Sequence, residues 1–398
     1  MSKRIAVKLT FQGEKSVRQG HPWIFSNSIV KLGENPETGD LAVIFSKSKN
    51  KIIGIGLYDA DSPIRIKLLH SGTEKVIVNN QFFEKQIKLA FDVRLPLLRT
   101  NTNGYRLLFG ENDGFPGLIA DVYNDVAVLK LYSRIWLPYL DAIANNIINV
   151  TKSKCLVLRL SRNLQNYADL GMTDGEVIYG ELQNETVVFI EHHIYFSANV
   201  IKGHKTGYFL DHRENRKLVG AMSKSKTVLD VFSYTGGFSV HALANGANEV
   251  TSIDISQKAL EVASQNAKLN NYSGIHKTIC GDAFKELNQL INKHKVFDVV
   301  VIDPPSFAKR QSEIELAKKK YKELAILGLN LTSKNGILVL ASCSSRVTSR
   351  SFFDINKGVF DKSGRSYNII NKTSHDSDHP ISFPEAEYLK CGYYKLNS

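Results

Sequence analysis

Residue types able to do chemistry cluster in the second half of the chain, each at the end of an apolar run. The run Val299-Val300-Val301-Ile302 stops on Asp303-Pro304-Pro305, so a carboxylate sits where a buried strand would end. Two prolines fix φ and remove backbone donors, which stiffens that strand exit. The run from Leu338 to Ala341 stops on Ser342-Cys343-Ser344. A cysteine at such a lip is placed to be a nucleophile; the alternative is an inert, half-buried thiol. Val228 to Phe232 leads into Gly236-Gly237, and seventeen residues beyond Gly237 a short strand ends on Asp254. Glycines let backbone approach a ligand, and a carboxylate there can accept from ribose hydroxyls. Asp254 can also serve as the cap of a helix starting near Ser256. Gly281-Asp282-Ala283 follows the next strand, where an acid can face an adenine amino group or cap a helix. The chemistry implied is that of an adenosine-containing cofactor beside a thiol.

These groups need a scaffold, and the pattern from about residue 197 supplies one. Strands are expected at Val228–Phe232, Val250–Ile253, Lys277–Cys280, Val299–Ile302 and Ile337–Ser342, with helices between them. Such alternation predicts an α/β fold with a parallel, doubly wound, Rossmann-like sheet. Ligands bind at the carboxyl ends of its strands. A nicotinamide enzyme would carry G-x-G-x-x-G, but Phe238 and Ser239 stand where further glycines belong, which disfavours a dehydrogenase.

Two blocks precede this domain. Residues 1–75 show short alternating segments, Ile5–Leu9, Leu41–Phe45, Ile52–Leu57 and Ile64–Leu69, separated by turn signals, and predict a small β-barrel. Residues 76–196 read as mixed α+β. Helices are expected over Gln81–Leu98 and Ile135–Ile148. Strands are expected at Leu118–Val122, Val126–Leu131, Cys155–Leu160, Glu176–Gly180 and Val187–Phe196. The expected third domain is 197–398.

Fifty-one basic residues against thirty-nine acidic ones leave a net charge of +12, which favours a polyanionic partner. Lys3, Arg4, Lys8, Lys15, Arg18 and His21 in the N-terminal block are placed to grip phosphates. Trp23 and Phe25 read better as core than as stacking residues. No run of eighteen apolar residues appears, so no membrane span is expected. The first residues lack an apolar stretch fit for a secretory signal. The four cysteines are scattered with no C-x-x-C, which suggests neither a disulfide framework nor a metal site and points to the cytoplasm.

Five pieces together resemble a known family: K-T-G-Y-F-L-D-H-R (205–213), F-S-Y-T-G-G-F (232–238), D-x-S (254–256), D-P-P-S-F (303–307) and S-C-S (342–344). They are similar to the class I S-adenosylmethionine-dependent methyltransferases that modify large-subunit ribosomal RNA at a cytosine C5. H-P-W-I-F-S (21–26) resembles the RNA-binding PUA domain at the front of the same family, whose members would act in rRNA processing. The resemblance runs the length of the chain in the same order.

It implies roles by position. Asp254 would hold the ribose of S-adenosylmethionine, with Ser256 beside it. Ser233, Tyr234, Gly236 and Gly237 would line the methionine end. Asp282 and Ala283 would contact adenine. Phe209, Asp211 and Arg213 would close the pocket from the preceding segment, and Asp303 would touch the same site. Cys343 would be the nucleophile, with Asp303 the best-placed base for the C5 proton. Phe307 and Tyr234 are candidates to stack on an extruded base. Arg346 is the nearby cation expected to lower the thiol pKa. The partner would be large-subunit ribosomal RNA, with no membrane, no metal, and a homodimer consistent with the family.

The chain departs from one pattern: Ser306, not a second cysteine, follows the prolines, so the product-release role of that cysteine has no occupant. D-P-P with an aromatic two residues on also fits enzymes that methylate guanine N7 or exocyclic amines, which need no thiol. A non-catalytic RNA-binding assembly factor is a further alternative. The S-C-S segment favours carbon methylation.

Overall fold

The computed structural model describes residues 3–167 and 170–397, and they divide into two compact units. The first comprises the described residues within 1–189, 198–210 and 377–383; the second comprises those within 190–197, 211–376 and 384–398. Residues 198–210, expected in the C-terminal domain, thus pack with the first unit.

The first unit opens with strand β1 (Arg4–Leu9), helix α1 (Phe11–Arg18) and strands β2 (Trp23–Phe25), β3 (Ile29–Leu32), β4 (Leu41–Phe45), β5 (Ile52–Tyr58) and β6 (Ile64–Ser71). They form a six-stranded mixed sheet in the order β2-β6-β5-β4-β1-β3. Alternation puts Ile5, Val7 and Leu9 of β1 into its core with Ile44 and Ile66. Phe25 does not join them: it is exposed, against expectation. Helix α1 adds to the expected strands; Thr10 caps it by accepting from the Gly13 N–H.

Next come α2 (Asn80–Leu98), β7 (Gly104–Phe109), β8 (Leu118–Tyr123), β9 (Val126–Leu131), α3 (Leu140–Thr151), β10 (Cys155–Leu160) and β11 (Glu176–Gly180). The strands make a second sheet, β11-β10-β9-β8-β7. Leu41, Ile55 and Leu57 of the first sheet share one apolar core with Phe83, Phe115 and Trp136 of this block. That shared core is why the two blocks form one unit. The expected strand Val187–Phe196 is instead a hairpin of β12 (Thr186–Glu191) and β13 (Ile194–Asn199). It turns at His192 and His193, both left-handed with φ 48° and 68°.

The second unit is a helix–sheet–helix sandwich. In chain order it holds α4 (Arg213–Met222), β14 (Thr227–Val231), α5 (Gly237–Ala244), β15 (Glu249–Asp254), α6 (Gln257–Lys268), β16 (Ile275–Cys280), α7 (Ala283–Asn292), β17 (Phe297–Ile302), α8 (Ile314–Leu331), β18 (Thr332–Ser342), α9 (Ser349–Lys362), β19 (Tyr367–Thr373) and β20 (Lys390–Leu396). The sheet order is β16-β15-β14-β17-β18-β20-β19. β14 to β18 run parallel, as expected, and β20 enters antiparallel between β18 and β19. Helices α4, α5 and α6 pack side by side as one layer, and α7, α8 and α9 as another. The strand order reverses between β14 and β17, so the crevice at their carboxyl ends is the natural ligand site.

Candidate functional site

Every chemistry-bearing residue of the second unit named from sequence lies at or just beyond a strand exit of this sheet, save Asp211 and Arg213, which lie before and at the start of α4. After β14 the chain passes through Phe232 and Tyr234 with φ 64° and 48°, then Gly236 with φ 80°. A bulky residue with positive φ is a costly conformation, and it persists only where surroundings enforce it. Gly236 is required here: a Cβ would stand 2.8 Å from that of Ala263. The result is a tight bend that presents Ser233 and Thr235 before α5 begins. The hydroxyls of both are buried and have no hydrogen-bond partner among the described residues. Orphaned buried hydroxyls at a helix N-terminus fit a polar ligand approaching along the bend.

Asp254 ends β15. One carboxylate oxygen accepts from the Tyr234 N–H at 2.9 Å and the other from the Ser256 N–H at 2.8 Å. The cap of α6 is Ser256, whose Oγ accepts from the Ala259 N–H. Asp254 is therefore not the cap; it is fixed by two backbone donors with lone pairs remaining. Asp282, exposed after β16, does cap its helix, accepting from the Lys285 N–H at 3.0 Å. Ala283 is buried in the first turn of α7. These residues fit an adenosine cofactor with a polar tail: hydroxyl acceptors at 254, a narrow glycine bend at 236–237, unpartnered hydroxyls at 233 and 235.

Beneath the bend, Asp230 is fully buried. It accepts from the Ser239 N–H at 3.0 Å and hydroxyl at 2.6 Å. Burial, with Asp303 and Asp254 nearby, pushes its pKa up to about 7. Sequence reasoning missed it because an aspartate within Val228–Val231 reads as a lapse in an apolar strand.

The neighbouring exits carry a different set. Asp303 follows β17, and the His212 Nε2 stands 3.3 Å from its Oδ1. Burial alone would depress the His212 pKa, but the charge of Asp303 outweighs it and the pKa is raised. Asn215 holds the other ring nitrogen at 3.0 Å. Cys343 follows β18, with its sulfur 3.8 Å from the Pro304 carbonyl oxygen. The Tyr388 hydroxyl donates to Asp211 at 2.8 Å. Burial, then Asp303 and Asp211, push the Cys343 thiol up to about 12; Lys390 opposes them. The expected lowering by Arg346 is thus overturned: Arg346 is exposed, and the cation felt by the sulfur belongs to β20. Lys390, His212 and Tyr388 were missed from sequence, although His212 lies within the quoted D-H-R.

The remaining expected residues sit elsewhere. Arg213 is buried and paired with Asp376 at 2.5 Å. Phe209 belongs to the first unit and is 38% exposed. The Phe307 ring packs on Tyr321 at 5.2 Å, with the Lys320 ammonium 4.9 Å over it. In the first unit, Lys3 and Arg4 are exposed on β1 and the residue before it, and the Lys3 ammonium donates to the Glu34 carbonyl. Arg18 is exposed 3.7 Å from Glu14. The His21 ring packs on Trp23 and Phe383, and Trp23 donates to Glu111 at 2.9 Å. Among the described residues, no group of three or more His, Cys, Asp or Glu is arranged to hold a metal, and no helix is long and apolar enough to cross a membrane.

Comparison with known proteins agrees with this geometry. Residues 106–347 match the family of S-adenosylmethionine-dependent methyltransferases, and residues 7–71 match a PUA-like domain. The chain is 40% identical to a ribosomal RNA large subunit methyltransferase of Deinococcus radiodurans, over 99% of this chain and 98% of that one. It is 35% identical to ribosomal RNA large subunit methyltransferase I of Aeromonas salmonicida, covering 95% and 96%. A candidate SAM-dependent methyltransferase from Streptococcus mutans has the same fold, with a TM-score of 0.81 at 23% identity over 98% and 99% of the two chains. A second solved structure, a candidate methyltransferase in complex with SAH, also superposes with a TM-score of 0.81 at 22% identity, over 99% of this chain and 100% of that one. This chain belongs to the S-adenosylmethionine-dependent methyltransferase family, and S-adenosylmethionine is its cofactor.

Proposed function

We propose, with that membership as premise, that this protein methylates C5 of a cytosine in large-subunit ribosomal RNA through a transient covalent bond to Cys343. The RNA class comes from the names of its relatives. The single observation that carries the chemistry is the thiol of Cys343 at the strand exit beside Asp303, its sulfur 3.8 Å from the Pro304 carbonyl oxygen.

When bound, S-adenosylmethionine supplies an electrophilic methyl group. Asp254 holds ribose hydroxyls, and Ser233 with Thr235 and the Gly236-Gly237 bend positions the amino-acid end. Cytosine C5 is a poor nucleophile. The sulfur of Cys343, after giving its proton to Asp303 and thence to His212, adds to C6 and makes C5 enamine-like, able to take the methyl. A base then removes the C5 proton, the C6–sulfur bond breaks, and the thiolate leaves. Asp303 is the base in this reading, and His212 beside it is a route for that proton onward. The N-terminal sheet, with Lys3, Arg4 and Arg18, offers cationic contacts to phosphate. The work would take place in the cytoplasm.

Mass mapping of rRNA nucleosides from cells with and without the gene tests the reading. Loss of 5-methylcytidine at one large-subunit position is expected. Loss of a methylated guanine or exocyclic amine instead would overturn the C5 assignment, and an unchanged profile would favour a non-catalytic assembly factor.

A further inference from the structure

The β20 strand brings a buried cation to the nucleophile. Lys390 is 2% exposed, and its backbone pairs in register with Ser342, the residue before Cys343. Its ammonium donates to the carbonyls of Ser344, Val347 at 2.5 Å and Tyr388 at 3.1 Å. Two of these belong to the 343–347 turn, so one side chain ties together both ends of the loop that carries the thiol. Burying an ammonium is costly unless something nearby repays it. Three carbonyls satisfy its protons but carry no net charge.

We infer that Lys390 is the positioning residue of the Cys343 loop and the counter-charge that stabilises the thiolate when the nucleophile is formed. The inference rests on the nucleophile reading of Cys343. The charges facing the sulfur are Asp303 beyond β17, Asp211 before α4 and Lys390 on β20, with the Tyr321 hydroxyl of α8 also coupled to it. Two carboxylates disfavour the thiolate and one cation favours it. The acids felt by Lys390 are Cys343 first and Glu387 second, and burial holds its own pKa down to about 8. At neutral pH the resting pair is therefore thiol with ammonium. Above about pH 8 the ammonium is lost and the sulfur forfeits its only favourable charge among the groups named.

Iodoacetamide labelling of the whole protein tests this without RNA, with mass mapping of the Cys343 peptide to separate it from exposed Cys280. From about pH 6.5 to pH 8, Lys390→Met is expected to slow Cys343 labelling about tenfold or more, the size of one lost opposite charge. The wild-type-to-variant ratio should then shrink above about pH 8, because the wild type loses its cation there and the variant has none to lose. A purely structural lysine would give a ratio independent of pH, and that result, or equal rates, overturns the inference. Binding of S-adenosylhomocysteine by calorimetry reports that the variant is folded; Lys390→Gln is the alternative should Lys390→Met not fold. Methylation that survives Cys343→Ala would sink the nucleophile reading while leaving the labelling result to be judged separately.

Discussion

The two halves of the crevice in the second unit are built on different physics. On the side of β14, β15 and β16, the acids are anchored by backbone donors: Asp254 takes two N–H groups and Asp282 caps α7. On the side of β17, β18 and β20, side chains are buried against one another and their proton affinities move: Cys343 up, His212 up, Lys390 down. A binding site profits from fixed dipoles that need no proton exchange. A reacting site profits from groups whose protonation is poised by burial and neighbours. The contrast teaches where to expect ligand affinity and where to expect chemistry.

The largest break of this contrast is Cys343→Ala. Methylation is expected to fall by at least about a thousandfold while affinity for S-adenosylhomocysteine changes little, as measured by methyl transfer and calorimetry. Asp254→Ala should do the opposite: cofactor affinity falls about tenfold to a hundredfold, the worth of about 1.5–3 kcal/mol for a charged hydrogen bond. A comparable loss of affinity in both variants would erase the division. Gly236→Ala sits on the binding side and acts through backbone. With φ 80° and a Cβ 2.8 Å from Ala263, it should lower thermal stability by about 1–2 kcal/mol and weaken cofactor binding along with it.

How much of this was legible in sequence follows the same divide. The binding half is local: β14, the glycine bend and Asp254 lie within one strand–turn–helix–strand unit, so spacing alone locates them. The reacting half assembles residues 211, 212, 303, 343, 388 and 390 from distant segments, and only Asp303 and Cys343 announce themselves by ending apolar runs. Lys390 hid because β20 reads Lys-Cys-Gly-Tyr-Tyr-Lys-Leu, with charges at positions 390 and 395 and no clean period. β7 hid for a similar reason: Arg106 interrupts it, yet is buried by a bidentate pair with Asp121. The β12–β13 turn carries two histidines in place of the usual glycine or asparagine, so no turn signal marked it.

The smallest expected effect concerns Asp230 on β14, an exception on the binding side: an acid whose proton affinity burial does move. An ordinary aspartate ionises near 3.8, and Asp230 near 7. The folded protein therefore holds this proton more tightly than the unfolded chain. The stability it adds is full below about pH 4 and fades as pH rises through 7. An asparagine in its place would carry no such dependence, so Asp230→Asn should raise the melting temperature relative to wild type at about pH 8 more than at about pH 5. An equal difference at both pH values would show that burial does not control this carboxyl.

The most direct measurement is to trap the bond itself. Large-subunit rRNA carrying 5-fluorocytidine offers no C5 proton to remove, so the sequence of steps must stop with sulfur still attached to C6. With S-adenosylmethionine present, a protein–RNA adduct should form and resist denaturation, and digestion should place the methylated fluoropyrimidine on Cys343. Normal methyl transfer to unsubstituted rRNA with no adduct on the fluorinated RNA, or an adduct on another cysteine, would contradict covalent catalysis by residue 343.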